Sequence, residues 1–384
     1  MKRRDFFKMT TSCGLGLAVA PNLVSSLISK DITEKSKPKT NIGEALKYKR
    51  TLFSIPGMYP GTVIKLMSDK SIINGKPDLK TVNTMLEKGM LALTGESTIA
   101  KAWQIFVKPE DIIGLKVNPV AGKILSTSLE VVHCIIQQLI GAGIPKNNII
   151  IWDRREPDLE DSGFTNDNFP EIKIIGTEKK DKNGSYYDKD GKLYSETMID
   201  KSWYYWADVD GDYDNETMPY MINGGKYSYF SNICTKTIDK IINIPILKNA
   251  GPSVTLSLKN LAFGSISNTG RLHKNLWSET CAEVCAFPPI RDKVVLNIVD
   301  GIKGCYNGGP GADPKFITEF KTILLGTDPV AVDRIGYDII NKKRVEEKLQ
   351  KEESDFGRKF LELAQEFKLG IADLNKIQIE NIII

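Results

Sequence analysis

Histidine and cysteine are scarce in this chain, and the few present lack the spacing of the common metal motifs. The 384 residues hold two histidines and six cysteines, with no C-x-x-C pair. Ferredoxin-type loops and zinc ribbons are built on such pairs, so neither motif is present. Once the leader described below is set aside, five cysteines remain: Cys134, Cys234, Cys281, Cys285 and Cys305. An odd, low count is no disulfide scaffold. There is no internal repeat, and the glycine-rich stretches carry neither a P-loop nor a dinucleotide fingerprint. An excess of one charge is missing as well. The formal net charge of +4 falls to +1 when a cut after Ala20 removes Lys2, Arg3, Arg4, Lys8 and Asp5. A near-neutral chain has no broad electrostatic reason to bind nucleic acid, which is excluded as a partner.

The first residues read Lys2-Arg3-Arg4-Asp5-Phe6-Phe7-Lys8, followed by an uncharged stretch from Met9 to Ser29. A basic start, a mildly apolar middle and small residues after it form a signal peptide, and the paired arginines mark the twin-arginine subtype. Gly14, Gly16, Pro21 and Asn22 make the stretch too polar for a good membrane span. Residues 1–29 are therefore expected to be a twin-arginine signal peptide with Ala18-Val19-Ala20 resembling a cleavage site. The mature protein is expected outside the cytoplasm, periplasmic or extracytoplasmic, with no stable membrane span. Residues 30–49, polar and rich in lysine, read as a flexible tether. Residues 50–384 form the folded part.

Six short runs are apolar and nearly continuous: Ile112–Val117, Asn148–Trp152, Ile172–Ile175, Lys240–Ile246, Val294–Val299 and Thr322–Leu325. Strands covered on both faces of a parallel sheet have this composition. Helical patterns at Ser128–Gly141, Val330–Lys343 and Asp355–Phe367 lie between or after them. The expected fold is α/β, a mostly parallel sheet flanked by helices. Residues 177–230 depart from it, with turns at Lys182-Asn183-Gly184, Asp188-Lys189-Asp190-Gly191 and Asn223-Gly224-Gly225, and read as a hairpin-rich insertion.

In open α/β sheets ligands bind beyond the C-terminal ends of the strands. Three strands end in polar chemistry there: Lys116 and Asn118 after the first run, Asp153 with Arg154 and Arg155 after the second, and Lys248 after the fourth. Lys259-Asn260 follows a few residues on, and Asp300 opens a glycine-containing loop after the fifth run. Lys116, Asp153, Lys248, Lys259 and Asp300 are the candidate catalytic residues of one polar pocket. A convergent set of cations suits an anionic small molecule. The amides of Gly308-Gly309-Pro310-Gly311 add a second way to meet an anion.

Two further constellations carry possible chemistry. His273, Cys281, Cys285 and Cys305 are the candidate ligands of a zinc ion or iron–sulfur cluster. The plainer alternative is one structural disulfide with a free buried thiol, and a third is Cys281 as an active-site thiol with His273 as its base. Asp208, Asp210 and Asp212 belong to a run of five acids within nine residues, a candidate calcium turn whose glycine sits at the wrong offset for the usual loop.

The segments Gly114-Leu115-Lys116-Val117-Asn118, Ile151-Trp152-Asp153-Arg154 and Ile242-Asn243-Ile244-Pro245-Ile246-Leu247-Lys248 open an ordered series. Leu258-Lys259-Asn260-Leu261, Asp300-Gly301-Ile302-Lys303-Gly304, Gly308-Gly309-Pro310 and Gly326-Thr327-Asp328-Pro329-Val330-Ala331-Val332-Asp333-Arg334 complete it. In this order, from Ile112 to Arg344, the segments resemble the family called domain of unknown function 362, and in particular its exported members with a twin-arginine signal. The resemblance implies Asn118, Arg154, Asn260, Asp328 and Asp333 as cofactor- or ligand-binding positions. It also implies an iron–sulfur or other metal cofactor with a redox role, because some members carry clustered cysteines. This chain lacks those clusters, and where relatives have a histidine after the lysine matching Lys248 it has Asn249-Ala250-Gly251. The function expected is an exported protein whose strand-end pocket binds a metal or iron–sulfur cofactor or an anionic small molecule. The alternative is a cofactor-free ligand-binding protein or a hydrolase- or transferase-type enzyme.

Overall fold

The computed structural model describes residues 37–181, 183–185, 194–210, 225–251, 253–349 and 357–384. The twin-arginine leader, Asp212 and the start of the helix expected at Asp355 lie outside the described residues.

Fourteen strands are described. They are β1 Thr62–Met67, β2 Ile72–Ile73, β3 Lys76–Pro77, β4 Ile113–Val117, β5 Ile149–Arg155, β6 Lys173–Glu178, β7 Ile199–Trp206, β8 Tyr227–Ser231, β9 Lys240–Ile244, β10 Ile246–Ala250, β11 Ser253–Thr255, β12 Val294–Cys305, β13 Ile317–Gly326 and β14 Gln378–Ile383. The main sheet runs in the order β14-β1-β13-β12-β9-β4-β5-β6, with β10 paired to β12 and β11 to β10. From β12 to β6 every neighbouring pair is parallel. Only β13 breaks the rule within the main path, antiparallel to both β12 and β1, while β14 closes the edge parallel to β1. The expected α/β architecture, mostly parallel and flanked by helices, is the observed one. The antiparallel β13 departs from that expectation, because its run Thr322–Leu325 is buried on both faces and so reads like its parallel neighbours.

Alternation along each strand divides the core into two layers. Ile113, Leu115 and Val117 of β4 join Ile149, Ile151, Ile242 and Ile244 under helices Leu79–Thr94 and Leu129–Gly141. Gly114 and Lys116 face the other way, as successive side chains in a strand must. That face holds Trp152, Ile241 and Val294 under helices Ser257–Ser265, Trp277–Glu283 and Pro329–Glu346. The run expected as one strand over Lys240–Ile246 is cut at Pro245 into β9 and β10, since proline offers no amide to the ladder.

The insertion contains the antiparallel pair β7–β8, in register from Tyr204↔Tyr229 to Trp206↔Tyr227. The expected tether needs correcting at its end. Thr40 bridges to Ala207, Ala45 is fully buried, and Arg291 donates to the carbonyls of Ala45, Tyr48 and Lys49 at 3.5, 3.3 and 2.9 Å. A buried guanidinium that takes three carbonyls holds these residues against the domain. No helix among the described residues is long and apolar enough to cross a membrane.

Candidate functional site

A row of polar residues crosses the sheet on the face that carries Lys116. The strand register aligns Gly326 of β13, Asn297 of β12, Asn243 of β9 and Lys116 of β4. Helix Ser257–Ser265 lies over this row and lowers Asn260 onto it. Asn260 donates to Asn243 Oδ1 at 2.8 Å, Asn243 donates to Asn297 Oδ1 at 2.9 Å, and Asn297 donates to the Thr327 carbonyl at 3.3 Å. On the other side Asn260 Oδ1 accepts from Lys116 Nζ and from Asn118 Nδ2, both at 3.1 Å. Asn260, Asn243 and Asn297 each use both ends of the amide, which is what makes such a chain tolerable in a dry interior.

Lys116 is 0% exposed and forms a salt bridge with Asp153, while its Nζ also donates to the Val117 carbonyl at 2.9 Å. Burial pulls its pKa down, and the Asp153 carboxylate opposes that pull. Gly264 makes the contact possible. A Cβ there would overlap Lys116 Cε and approach Asp153 Oδ1 to 3.3 Å. Asn118 Oδ1 is buried with no hydrogen-bond partner among the described residues, the one loose end of this ladder's side chains.

Lys248 and Lys259 form a second group with a different character. Lys248 is 0% exposed and donates to the Val120 carbonyl at 2.6 Å. Burial, and next the charge of Lys259, lower its pKa to about 7. Lys259 is 7% exposed, and burial lowers its pKa to about 8, with Arg154 adding to the effect and Cys281 opposing it. Among the described residues Lys259 Nζ has no hydrogen-bond or salt-bridge partner, and its nearest aromatic ring is Phe263, 5.4 Å away. The nearby Asp153 is already taken by Lys116. Arg154 adds positive charge near Lys259 and is itself paired elsewhere. It reaches Glu178 at 3.7 Å and donates to Thr269 Oγ1.

The remaining expected site residues have structural work. Asp300 accepts from the backbone amide and hydroxyl of Ser128 at 2.8 and 2.5 Å and from Ile302 N at 3.1 Å, holding the start of helix Leu129–Gly141. Asp333 accepts the amides of Ser257 and Leu258 at 2.6 and 2.9 Å and so fixes the helix that carries Lys259 and Asn260. Burial raises its pKa to about 7. Asp328 caps helix Pro329–Glu346 and also takes the amides of Gly61 and Ile371, both at 3.0 Å. The expected anion cradle at the glycine loop is partly spent, because Gly309 N donates to Asn249 Oδ1 at 2.6 Å.

The four candidate metal ligands do not form one centre. Cys285 Sγ turns to the Leu258 carbonyl at 3.5 Å, and Cys305 Sγ turns to the Asn307 carbonyl at 2.8 Å. Cys281 is buried, and burial pushes its thiol and that of Cys285 well above the usual range. All five described cysteines are free, so the alternative disulfide is not formed. His273 Nδ1 lies 2.9 Å from the Thr269 carbonyl and the ring packs 4.2 Å from Phe263. Desolvation, then Lys259, lowers its pKa, although the residue keeps an exposed face that moderates the effect. Among the described residues no three His, Cys, Asp or Glu side chains converge to hold a metal. An iron–sulfur or zinc centre therefore does not fit this side-chain set. Asp208 and Asp210 face Lys226 at 2.5 and 3.9 Å. A separate groove lined by Leu79, Asn83, Ile99 and His133 lies between helices Leu79–Thr94 and Leu129–Gly141, away from all the strand-end residues.

Residues 200–338 match the family model described as Domain of unknown function (DUF362). The match supports the family. It is narrower than the motif series, and it contains Asn243, Lys248, Lys259, Asn260, Asn297 and Asp333 but leaves Lys116, Asn118 and Asp153 upstream. The DUF362 stretch thus supplies the cation pair and most of the amide ladder, while β4 and β5 complete the ladder from outside it. No curated protein matches the chain.

Asn243 and Asn297 escaped the sequence reading, as did Gly264. The signal was present. An asparagine inside Ile241-Ile242-Asn243-Ile244 or Leu296-Asn297-Ile298 is costly unless a partner awaits it.

Proposed function

We propose that the edge of the sheet beyond β4, β5 and β10 binds an anionic small molecule, held by the ammonium groups of Lys259 and Lys248. The observation that carries this reading is Lys259, a residue only 7% exposed whose Nζ has no hydrogen-bond or salt-bridge partner among the described residues. An uncompensated buried charge is destabilising, and proteins keep one where a ligand supplies the missing countercharge. The carboxylate or phosphate oxygens of a ligand would do so. Binding would raise both lysine pKa values and draw protons from solution. A neighbouring ladder of paired amides gives the lysines a rigid floor, which reduces the ordering cost of binding.

Inorganic phosphate and pyruvate are the probes. Either should raise the melting temperature of the purified protein, since a ligand at ~100 times its Kd adds ~2.7 kcal/mol to the folded state. Lys259→Met should lose that shift. An equal shift in the folded Lys259→Met variant overturns the proposal.

Export by the twin-arginine route is proposed on the leader alone. Replacing Arg3 and Arg4 by lysine should strand the precursor in the cytoplasm, read by fractionation. A double-lysine variant that still leaves the cytoplasm refutes this.

A further inference from the structure

Anion binding alone asks only for positive charge, and a surface lysine or arginine meets that need without being enclosed. The two lysines here differ in a way that simple charge pairing does not require. Lys248 Nζ is committed as a donor to the Val120 carbonyl at 2.6 Å. Lys259 Nζ donates to no hydrogen-bond acceptor among the described residues. Among the described residues no carboxylate pairs with it; its Nζ lies over the Phe263 ring, 5.4 Å from the ring centre, and the residue is 7% exposed. Its backbone is rigidly set: Asp333 holds the amides of Ser257 and Leu258, and Asn260 is bound to Asn243. The result is a primary amine on a fixed helix, enclosed, beside a second cation, with its lone pair unencumbered once the proton leaves. Desolvation next to another cationic group is how a lysine becomes a nucleophile at neutral pH.

We propose that Lys259 is an imine-forming lysine and that the anionic ligand is a carbonyl compound, a 2-oxo acid or a close chemical relative. The inference rests on the anion-site reading above and specifies its substrate class. In the step, the lone pair of neutral Lys259 Nζ attacks the carbonyl carbon, forming the C–N bond, while the C=O π electrons move to oxygen. The nitrogen loses a proton and the oxygen gains protons from solvent. Water then leaves with the C–O bonding pair, and the nitrogen lone pair closes the C=N bond. One amine, one carbonyl compound and one proton become one protonated imine and one water, with no change in oxidation state. The ligand's carboxylate restores the charge of Lys248 and is held by it during the step, while burial and the charge of Arg154 favour the neutral Lys259 amine before attack. The depressed pKa of Lys259, about 8, is consistent with a useful fraction of free amine near neutrality.

The test is reductive trapping on the full chain. Wild-type protein is incubated with pyruvate and sodium cyanoborohydride at pH 7, digested and mapped by mass spectrometry. The expected result is a carboxyethyl adduct on the Lys259 peptide, formed ~10-fold or more faster than on the exposed Lys101, since each unit of pKa depression raises the free-amine fraction about tenfold. Inorganic phosphate should compete with the labelling, and Lys259→Arg should abolish it. The mapping on wild type does not depend on any variant folding. Lys259 labelled no faster than Lys101, while pyruvate still raises the melting temperature, overturns the imine and leaves the anion site standing. No labelling above Lys101 together with no stabilisation by pyruvate or phosphate removes both.

Discussion

Two buried cationic regions lie side by side at one edge of this sheet, and they handle charge in opposite ways. Around Lys116 the protein supplies its own countercharge, Asp153, and passes the remaining hydrogen bonds through Asn260, Asn243 and Asn297. Around Lys248 and Lys259 the described residues supply none that is not already used. The first region is closed on itself and behaves as architecture. The second is left electrostatically open at a cost in stability, and such an opening is what a ligand site requires. The contrast teaches that a lysine at a strand end is informative only when its partners are known.

The sharpest way to break the comparison is to remove a charge from the closed region. Lys116→Met leaves Asp153 buried without its partner and should destabilise the protein by about 3–5 kcal/mol, measured by urea unfolding. Adding Asp153→Leu should recover most of that loss. A cost under about 1 kcal/mol would mean that water reaches the pair and that the region is not closed.

A smaller effect is expected from Gly264→Ala, because the new methyl group would displace Lys116 from Asp153. Overpacking of this kind costs about 1–3 kcal/mol, and thermal unfolding reads it. Full stability in the alanine variant would show that Lys116 has room to move.

The smallest effect, and opposite in sign, belongs to the open region. Lys259→Met removes an uncompensated charge, so stability at pH 7 should stay level or rise by about 1 kcal/mol. The pH profile sharpens this. The pKa values of Lys248 and Lys259 are lowered on folding from 10.5 to about 7 and about 8. Between those values and 10.5 the unfolded chain holds more protons than the folded one, so wild-type stability should rise with pH across that window. Lys259→Met should flatten the rise, and saturating phosphate should flatten it in wild type. A wild-type profile already flat in that range would contradict the depressed values.

Much of the frame was legible beforehand. The apolar runs at Ile112–Val117 and Asn148–Trp152 are covered strands as expected, and the helical spacing after Ser128 and Asp328 held to within three residues. The ends of the parallel strands share one edge by topology, so Lys116, Asp153 and Lys248 were expected together, and Lys259 arrives with the helix packed above them. Asp300 was grouped with them by the same rule, yet Ser128, packed directly beside it, claims its carboxylate. The cysteines were grouped by residue type, and type does not say which way a thiol points. Cys285 and Cys305 spend their sulfurs on separate carbonyls.

By itself, then, the sequence determined the α/β class, the mostly parallel character of the sheet and the residue types gathered at the strand ends. Those follow from local periodicity and from the chirality of parallel connections, which act over short stretches of chain. Only the tertiary structure decided which charges are matched. Lys116 meets Asp153 across 37 residues and Asn260 across 144, while among the described residues Lys259 forms no ion pair. Electrostatic pairing is a property of distance in space, and no local pattern in the chain encodes it.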